Sequence, residues 1–236
     1  MEPLLANPAL TADNDGNHGI LALVSDTHGY QAGLLRLFEF FRRHRIKRLA
    51  CLGDCEAEPF DWWLDLAPDH ELYWVYDVDG ADHPRATLTN PALAVNHRIF
   101  LAHTRATAFD YFKAQIKAYK QAPPSGRPPL LICHGHTHTP CVTRFGRTLN
   151  HLLYIHSVAR PYLFRPRREC LQLALDTVYL IVPGAFTLED GRYPTLSFSI
   201  LDLEQHTAEM ISLTDVESLK TIHLTCTPAP PAPGDR

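Results

Sequence analysis

The chain has 236 residues, of which 45% are hydrophobic and 20% charged, values typical of a globular protein with one substantial core. Its formal net charge of -4 excludes the broad basic field that binders of nucleic-acid polymers or of membrane surfaces carry. No apolar run reaches the length of a membrane span, and no basic region precedes an apolar core at the N-terminus. We therefore expect a cytoplasmic protein without a signal peptide.

The six cysteines allow two interpretations, disulfides or reduced thiols. Several of them lie in or beside apolar runs that resemble strands, and no export signal is present, so reduced thiols are favoured. No CxxC pair occurs, which argues against a zinc site built from cysteines.

The first half of the chain alternates predicted strands with predicted helices. Residues 1–19 are rich in Asn, Asp, Pro and Ala and predict a flexible tail. Short apolar runs that end in polar residues predict buried strands, and apolar residues at helical spacing predict helices between them. The predicted strands are GILALVSD, RLACLGD and ELYWVYDVD, and the predicted helices are YQAGLLRLFEFFRRHRIK and PFDWWLDLA.

In the second half, a strong amphipathic helix is followed mainly by strands. The helix is ATAFDYFKAQIKAYKQA, with an apolar face formed by Phe109, Phe112, Ile116 and Tyr119. The predicted strands are the two within ALAVNHRIFLAHT, then LLICHGHTH, VYLIVPGAF, TLSFSILDLE and TAEMISLT. The order of elements predicts a single layered α/β domain with a mixed sheet, over residues 20–226.

Two segments of this half have no clear pattern of strands or helices. Residues 141–178 contain a basic patch, RPRRE, and either cap a site or are a surface elaboration. Residues 227–236 are rich in proline, which predicts a disordered tail.

Carboxylates and imidazoles recur where the predicted strands end. Ligand-binding residues of α/β sheets collect beyond the carboxyl ends of strands, so these side chains are expected to share one crevice. The alternate residues His136 and His138, like Asp26 and His28, are expected to project on the same side of an extended backbone. The complete set is Asp26, His28, Asp54, Asp77, Asp79, His103, His136 and His138.

Such a cluster must be hydrated or hold cations, because unpaired charges are costly to bury. Mixed nitrogen and oxygen ligands suit Mn, Fe, Zn and similar ions, and the ligands outnumber those of one tetrahedral ion. Two ions are the economical interpretation, and such a pair is suited to attack on phosphorus. Unrelated surface histidines, or a mononuclear hydrolase acting on a carbonyl, would leave most of these residues unexplained.

The motifs SDTHG, LGD, LAHT, GHTHTP and IVPGAF resemble those of the calcineurin-like metallophosphoesterases, specifically the small YfcE-type phosphodiesterase branch. The resemblance spans about residues 20 to 213. It implies a four-layer α/β/β/α sandwich with mixed sheets and a metal site at the carboxyl ends of the strands. It also implies two divalent ions, each of which could be Mn, Fe, Ni, Zn or Co.

Carried over by position, the resemblance assigns a role to each residue. Asp26, His28 and His138 would hold the first ion, and Asp77, His103 and His136 the second. Asp54 would bridge the two ions, and a hydroxide between them would be the nucleophile. Asp54, His103 and His136 are the predicted catalytic residues. The implied activity is hydrolysis of a small or nucleotide-like phosphoester, with a diester favoured over a monoester.

The chain departs from the family pattern at the third strand. Asp77 stands where Asn is usual, which should tighten metal binding and weaken the binding of anionic substrates. An alternative alignment places Ala81 at this ligand position, but Asp77 directly follows the strand and can bind a metal. Val78 replaces a histidine that acts as proton donor in many relatives, so the proton would come from water, His83 or His134.

Further departures keep a second hypothesis open. Thr104 stands where Gly is usual, and Val182 where Asn is usual. A protein that keeps the fold as a binding scaffold without catalysis would tolerate such changes. The resemblance leaves the oligomeric state open, since many relatives are homo-oligomers.

Overall fold

A computed structural model of the chain describes residues 19–55, 70–75, 88–90, 92–96, 98–145, 167–188 and 196–224. In the first part of the chain the elements are β1 (Ile20–Val24), α1 (Gln31–Arg43), β2 (Arg48–Cys51), β3 (Glu71–Val75), β4 (Leu88–Asn90), β5 (Ala92–Asn96) and β6 (Ile99–Ala102). They continue with α2 (Arg105–Gln121), β7 (Leu130–His134), β8 (Cys141–Phe145), β9 (Arg167–Gln172), β10 (Val178–Val182), β11 (Leu196–Asp202), β12 (Thr207–Leu213) and a 3-10 helix (Val216–Lys220).

The strands form two mixed sheets. The larger has seven strands in the order β4-β3-β2-β1-β11-β12-β9, and its first four strands are parallel. The smaller has five strands in the order β5-β6-β7-β10-β8, with β6, β7 and β10 parallel. The parallel strands of each sheet bring several carboxyl ends to one edge.

Three apolar layers show how the sheets and helices stack. Alternate residues of β1 point to opposite faces: Ala22 and Val24 pack against α1, whereas Leu21 and Leu23 pack against the second sheet. A third layer joins the smaller sheet to α2 through Phe100 and other apolar residues. The predicted four-layer α/β/β/α sandwich is confirmed.

Each helix buries the face that its sequence pattern predicts. In α1 the buried side chains include Leu34, Leu37, Phe38 and Phe41. In α2, Ala108, Phe112 and Ile116 are buried, and the rings of Phe100 and Phe112 stack with centroids 4.4 Å apart. Neither of these helices is long and apolar enough to cross a membrane.

The segment 141–178 was predicted as a cap or a surface elaboration. Both ends of this segment form strands of the sandwich. β8 pairs with β10 in the smaller sheet, and β9 pairs with β12 at the edge of the larger sheet. Residues 146–166 lie outside the described residues, as do the short helix predicted at 59–67, residues 1–18 of the predicted N-terminal tail and the predicted C-terminal tail at 227–236.

Candidate metal centre

Six of the predicted metal ligands lie in the loops that follow the carboxyl ends of β1, β2, β6 and β7. Asp26 N–H donates to Gly53 O (3.0 Å) and joins the two loops of the larger sheet, and Gly135 N–H donates to His103 O (2.9 Å) and joins the two loops of the smaller sheet. His136 N–H donates to Asp26 Oδ2 (3.0 Å) and links the loops of one sheet to those of the other.

Five of these residues have a left-handed backbone. Their φ angles lie between 44° and 68°, in Asp26, His28, Asp54, His136 and His138. Such a conformation costs a non-glycine residue about 1–3 kcal/mol and persists where surrounding structure imposes it, often at functional sites. The extended-backbone argument is therefore wrong for both pairs, because β7 ends at His134 and β1 at Val24, and the paired residues follow these strands in left-handed conformations.

Two glycines let the loops approach one another closely. A Cβ atom at Gly53 would collide with the ring of His103, and Gly53 has a φ of 95°. A Cβ atom at Gly135 would collide with Ser25 Oγ and lie 2.9 Å from Asp26 Oδ2. Neither position has room for a side chain.

The first group of candidate ligands comprises Asp26, His28, Asp54 and His138, whose ligand atoms lie within 4.8 Å of one another. Asp26 is fully buried, and its carboxylate accepts hydrogen bonds from the Ser25 hydroxyl and from His136 N–H (3.0 Å). His138 Nε2 lies 3.2 Å from Asp26 Oδ1. The neighbouring donors hold the Asp26 carboxylate in a fixed orientation.

The second group comprises Asp54, His103 and His136, again with ligand atoms within 4.8 Å of one another. His103 is buried, and its Nδ1 lies 2.7 Å from the carbonyl oxygen of Leu52, to which it donates. This bond places the ring proton on Nδ1, so Nε2, which lies 3.6 Å from Asp54 Oδ2, is the nitrogen that can bind a metal. The ring centres of His103 and His136 lie 5.1 Å apart.

The donor set of carboxylates and imidazoles fits divalent cations, and Asp54 belongs to both groups. A histidine ligand whose other nitrogen donates to a backbone carbonyl is a common arrangement around metals, and His103 has it. Carboxylate oxygens with imidazole nitrogens suit Mn, Fe, Zn, Co and Ni, which leaves the identity of the metal open.

His134, one of the predicted proton donors, lies at the end of β7 and is only 2% exposed. Its Nδ1 is 2.8 Å from the carbonyl oxygen of Gly135. Burial, and then the charges of Arg105 and His103, lower the pKa of His134 to about 4, although the Gly135 bond opposes this shift. His134 is therefore neutral near pH 7, which argues against it as the donor.

Six of the seven predicted ligands lie in these two groups. Asp77, the seventh, and His83, the other predicted proton donor, lie outside the described residues. Ser25, which holds Asp26, and the carbonyl of Leu52, which orients His103, were not found from the sequence. A serine beside an acid at a strand end is too common to indicate such a role, and a backbone carbonyl has no sequence pattern.

Thr104, which stands where relatives have Gly, has a structural role. Its hydroxyl accepts a hydrogen bond from Thr107 N–H (3.1 Å) and so caps the N-terminus of α2. Such caps stabilise a helix by about 1 kcal/mol. The Thr104 side chain thus fixes the start of α2, two residues after His103.

Known structures share the fold of this chain. The structure resembles that of a metallophosphoesterase from Sphaerobacter thermophilus, with 15% identity, coverage of 86% of this chain and 92% of that one, and a TM-score of 0.50. An archaeal phosphodiesterase has 16% identity, with 82% and 99% of the chains covered and a TM-score of 0.50. YfcE, a phosphoesterase from E. coli, has 17% identity, with 78% and 88% covered and a TM-score of 0.46.

A search of curated proteins finds no significant match. The family profile described as the calcineurin-like phosphoesterase superfamily domain matches residues 20–206, a range that includes both ligand groups. The protein belongs to the calcineurin-like phosphoesterase superfamily.

Proposed function

We propose that the protein is a dinuclear metal-dependent phosphodiesterase that acts on small or nucleotide-like phosphodiesters. The observation that carries the proposal is the position of Asp54, which is a member of both candidate ligand groups. Two cations bound there would lower the pKa of a water between them and offset the charge of the phosphoryl oxygens.

Hydrogen bonds within the protein hold the candidate ligands in fixed positions. The backbone carbonyl of Asp54 accepts hydrogen bonds from Thr27 N–H (3.0 Å) and His28 N–H (3.2 Å), and these bonds hold Asp54 in place. His103 is locked in one tautomer by Leu52, and Asp26 is oriented by Ser25 and His136. This rigidity favours catalysis, because the ligand atoms need little reorganisation when a substrate binds.

The charges near the site favour a diester over a monoester. Asp26 and Asp54 are carboxylates, and Asp77 adds a third in the predicted ligand set. With two divalent ions bound, the third carboxylate lowers the net positive charge of the site, and this weakens the binding of a monoester, which carries close to two negative charges at neutral pH, more than that of a diester, which carries one.

The preferred leaving group follows from the histidines. His28, His103, His136 and His138 belong to the ligand groups, and the buried His134 is neutral near pH 7. None of the histidines in the described part of the site is thus suited to protonate a leaving group. We expect fast turnover with leaving groups that depart without a proton, such as p-nitrophenolate.

The test compares hydrolysis of bis-p-nitrophenyl phosphate and p-nitrophenyl phosphate, with added Mn²⁺ or Ni²⁺, by the parent and by Asp54→Asn. We expect faster hydrolysis of the diester, and a loss on the order of 100-fold or more in the variant. Asp110→Asn, which changes an exposed carboxylate on α2 outside both ligand groups, is the matched control and should retain the parent's rate.

Three outcomes would contradict parts of the proposal. Equal rates for the parent and Asp54→Asn would remove Asp54 from the reaction. A faster reaction with the monoester would refute the preference for diesters. Bound metal with no hydrolysis of either ester would favour the alternative, a catalytically silent scaffold with this fold.

A further inference from the structure

Two cysteines flank the segment that carries Asp54. Cys51 is the last residue of β2, and Cys55 directly follows Asp54. Both are free thiols, and the proposed reaction uses neither. Cys51 is fully buried in the apolar layer between the larger sheet and α1, and the half-buried Cys55 packs against the same layer. The two side chains therefore lie on the same side of the loop.

The two thiols contact each other because the chain reverses between them. Gly53 and Asp54 both have a left-handed backbone, with φ angles of 95° and 48°. The Cys55 thiol donates a hydrogen bond to Gly53 O (3.3 Å). Burial, followed by a hydrogen bond between the two thiols, raises the pKa of Cys51 well above its usual range. Sulfur atoms in such contact need only a small movement to form a disulfide.

The three residues between the cysteines all hold loops of the metal centre through their backbone carbonyls. The carbonyl of Leu52 accepts a hydrogen bond from His103 Nδ1 (2.7 Å), and that of Gly53 accepts one from Asp26 N–H (3.0 Å). The carbonyl of Asp54 accepts hydrogen bonds from two N–H groups of the loop after β1. Because Asp54 also belongs to both ligand groups, a bond that draws the ends of this segment together would displace supports of the whole site.

We propose that Cys51 and Cys55 form a reversible disulfide that lowers the affinity of the site for metal, so that oxidation by a peroxide switches the enzyme off. This inference rests on the proposed function. A sulfur–sulfur bond is about 2 Å long, shorter than any contact between two thiols, so the bond must shift the backbone between them. Reduction by a dithiol would restore the original loop.

The order of the two steps follows from exposure. Cys55 is reached by solvent and reacts first, whereas Cys51 is buried and stays protonated. The Cys55 sulfur attacks one oxygen of hydrogen peroxide, the O–O bond breaks, and a sulfenic acid and one water form. The Cys51 sulfur then attacks the Cys55 sulfur, the S–O bond breaks, and the hydroxyl leaves as a second water with the Cys51 proton. Two thiols and one peroxide thus give one disulfide and two waters.

The first measurement detects the bond itself. Metal-free protein is treated with hydrogen peroxide, digested with trypsin without reductant, and analysed by mass spectrometry. Cleavage after Arg48 and Arg85 releases peptide 49–85, whose only cysteines are Cys51 and Cys55. We expect this peptide to be lighter by two hydrogen atoms after peroxide treatment and to regain them with dithiothreitol. In Cys51→Ala it should gain oxygen instead, because Cys55 then has no partner.

The second measurement is a Mn²⁺ titration of the reduced and the oxidised protein after peroxide is removed. The oxidised parent should bind Mn²⁺ at least about tenfold more weakly than the reduced parent, and dithiothreitol should restore the affinity. Cys55→Ser should bind like the reduced parent before and after peroxide. Cys170→Ser, which removes an exposed thiol on β9, is the matched control and should still lose affinity on oxidation.

The outcomes distinguish failure of this inference from failure of the proposed function. If peroxide leaves the mass of peptide 49–85 unchanged, or if the oxidised parent binds Mn²⁺ as tightly as the reduced parent, the switch is refuted and the proposed function stands. A loss of affinity in Cys55→Ser as large as in the parent also refutes the switch, since the loss then arises elsewhere. A reduced parent that binds no Mn²⁺ overturns both.

Discussion

Replacement of Gly135 by alanine should weaken metal binding without unfolding the protein. A Cβ atom at this position would collide with Ser25 Oγ and lie 2.9 Å from both Asp26 Oδ2 and Leu52 O. Since Asp26 is a candidate ligand and Leu52 O orients His103, the collision would displace supports of both ligand groups. The variant should therefore bind divalent cations at least about tenfold more weakly.

The effect of Gly135→Ala on stability should be moderate. Adding a methylene to a tightly packed region costs about 1–3 kcal/mol, which corresponds to a fall of roughly 2–12 °C in the melting temperature of a chain of this size. Gly126→Ala is the matched control: its φ is 73°, but no atom lies within 4 Å of the added Cβ. The control should lose about 1–2 kcal/mol through backbone strain yet bind metal like the parent.

The assay combines thermal unfolding of the metal-free proteins with a Mn²⁺ titration of the parent and both glycine variants. Ser25→Ala in the Gly135→Ala background removes the nearest colliding atom, so the two losses should not add and the double variant should bind Mn²⁺ about as tightly as Ser25→Ala alone. Gly135→Ala that binds Mn²⁺ as tightly as Gly126→Ala would refute the reasoning, because the packing of the two loops would then not position the ligands.

Three other perturbations test separate parts of the structure. Ser25→Ala alone should weaken Mn²⁺ binding by about 10- to 100-fold, measured by titration, because Asp26 loses a hydrogen-bond donor. Phe112→Ala should lower the free energy of unfolding in urea by about 3–5 kcal/mol, whereas Tyr111→Ala, at a side chain that is 45% exposed, should cost much less. A hydrogen bond with Arg127, aided by backbone N–H groups, lowers the pKa of Asp176 to about 2. Because this pKa is depressed, Asp176 stabilises the fold above about pH 4 and loses this effect as the pH falls toward 2. Asp176→Asn should therefore be less stable than the parent at pH 7, with a gap that narrows below pH 4 in urea unfolding.

The parts of the fold that the sequence predicts are those with their own hydrophobic pattern. β1, β2, β7 and β10 are short apolar runs, and every residue of each is buried. In contrast β9, with the sequence RRECLQ, is polar and lies at the edge of the larger sheet. An edge strand of this kind is stabilised by backbone pairing with its neighbour, here β12, and its own residues give little indication of it.

The composition of the candidate site was predictable, but its local geometry was not. Acids and histidines after apolar runs identified the residues that the structure brings together. Their left-handed backbone was not indicated, because this conformation is uncommon for any residue other than glycine, even for Asp and His, and no sequence pattern marks where it occurs. The close approach that imposes this conformation involves loops far apart in sequence, as between Gly135 and Ser25.

The number of divalent cations bound per chain tests the central claim most directly, since Asp54 is proposed to join two ions. Elemental analysis after saturation with Mn²⁺ and removal of excess metal should give two ions per chain in the parent. Asp54→Asn should retain fewer than one. His138→Ala, which alters only the first ligand group, should retain about one. A parent that saturates with a single ion, or an Asp54→Asn variant that still binds two, would contradict the account.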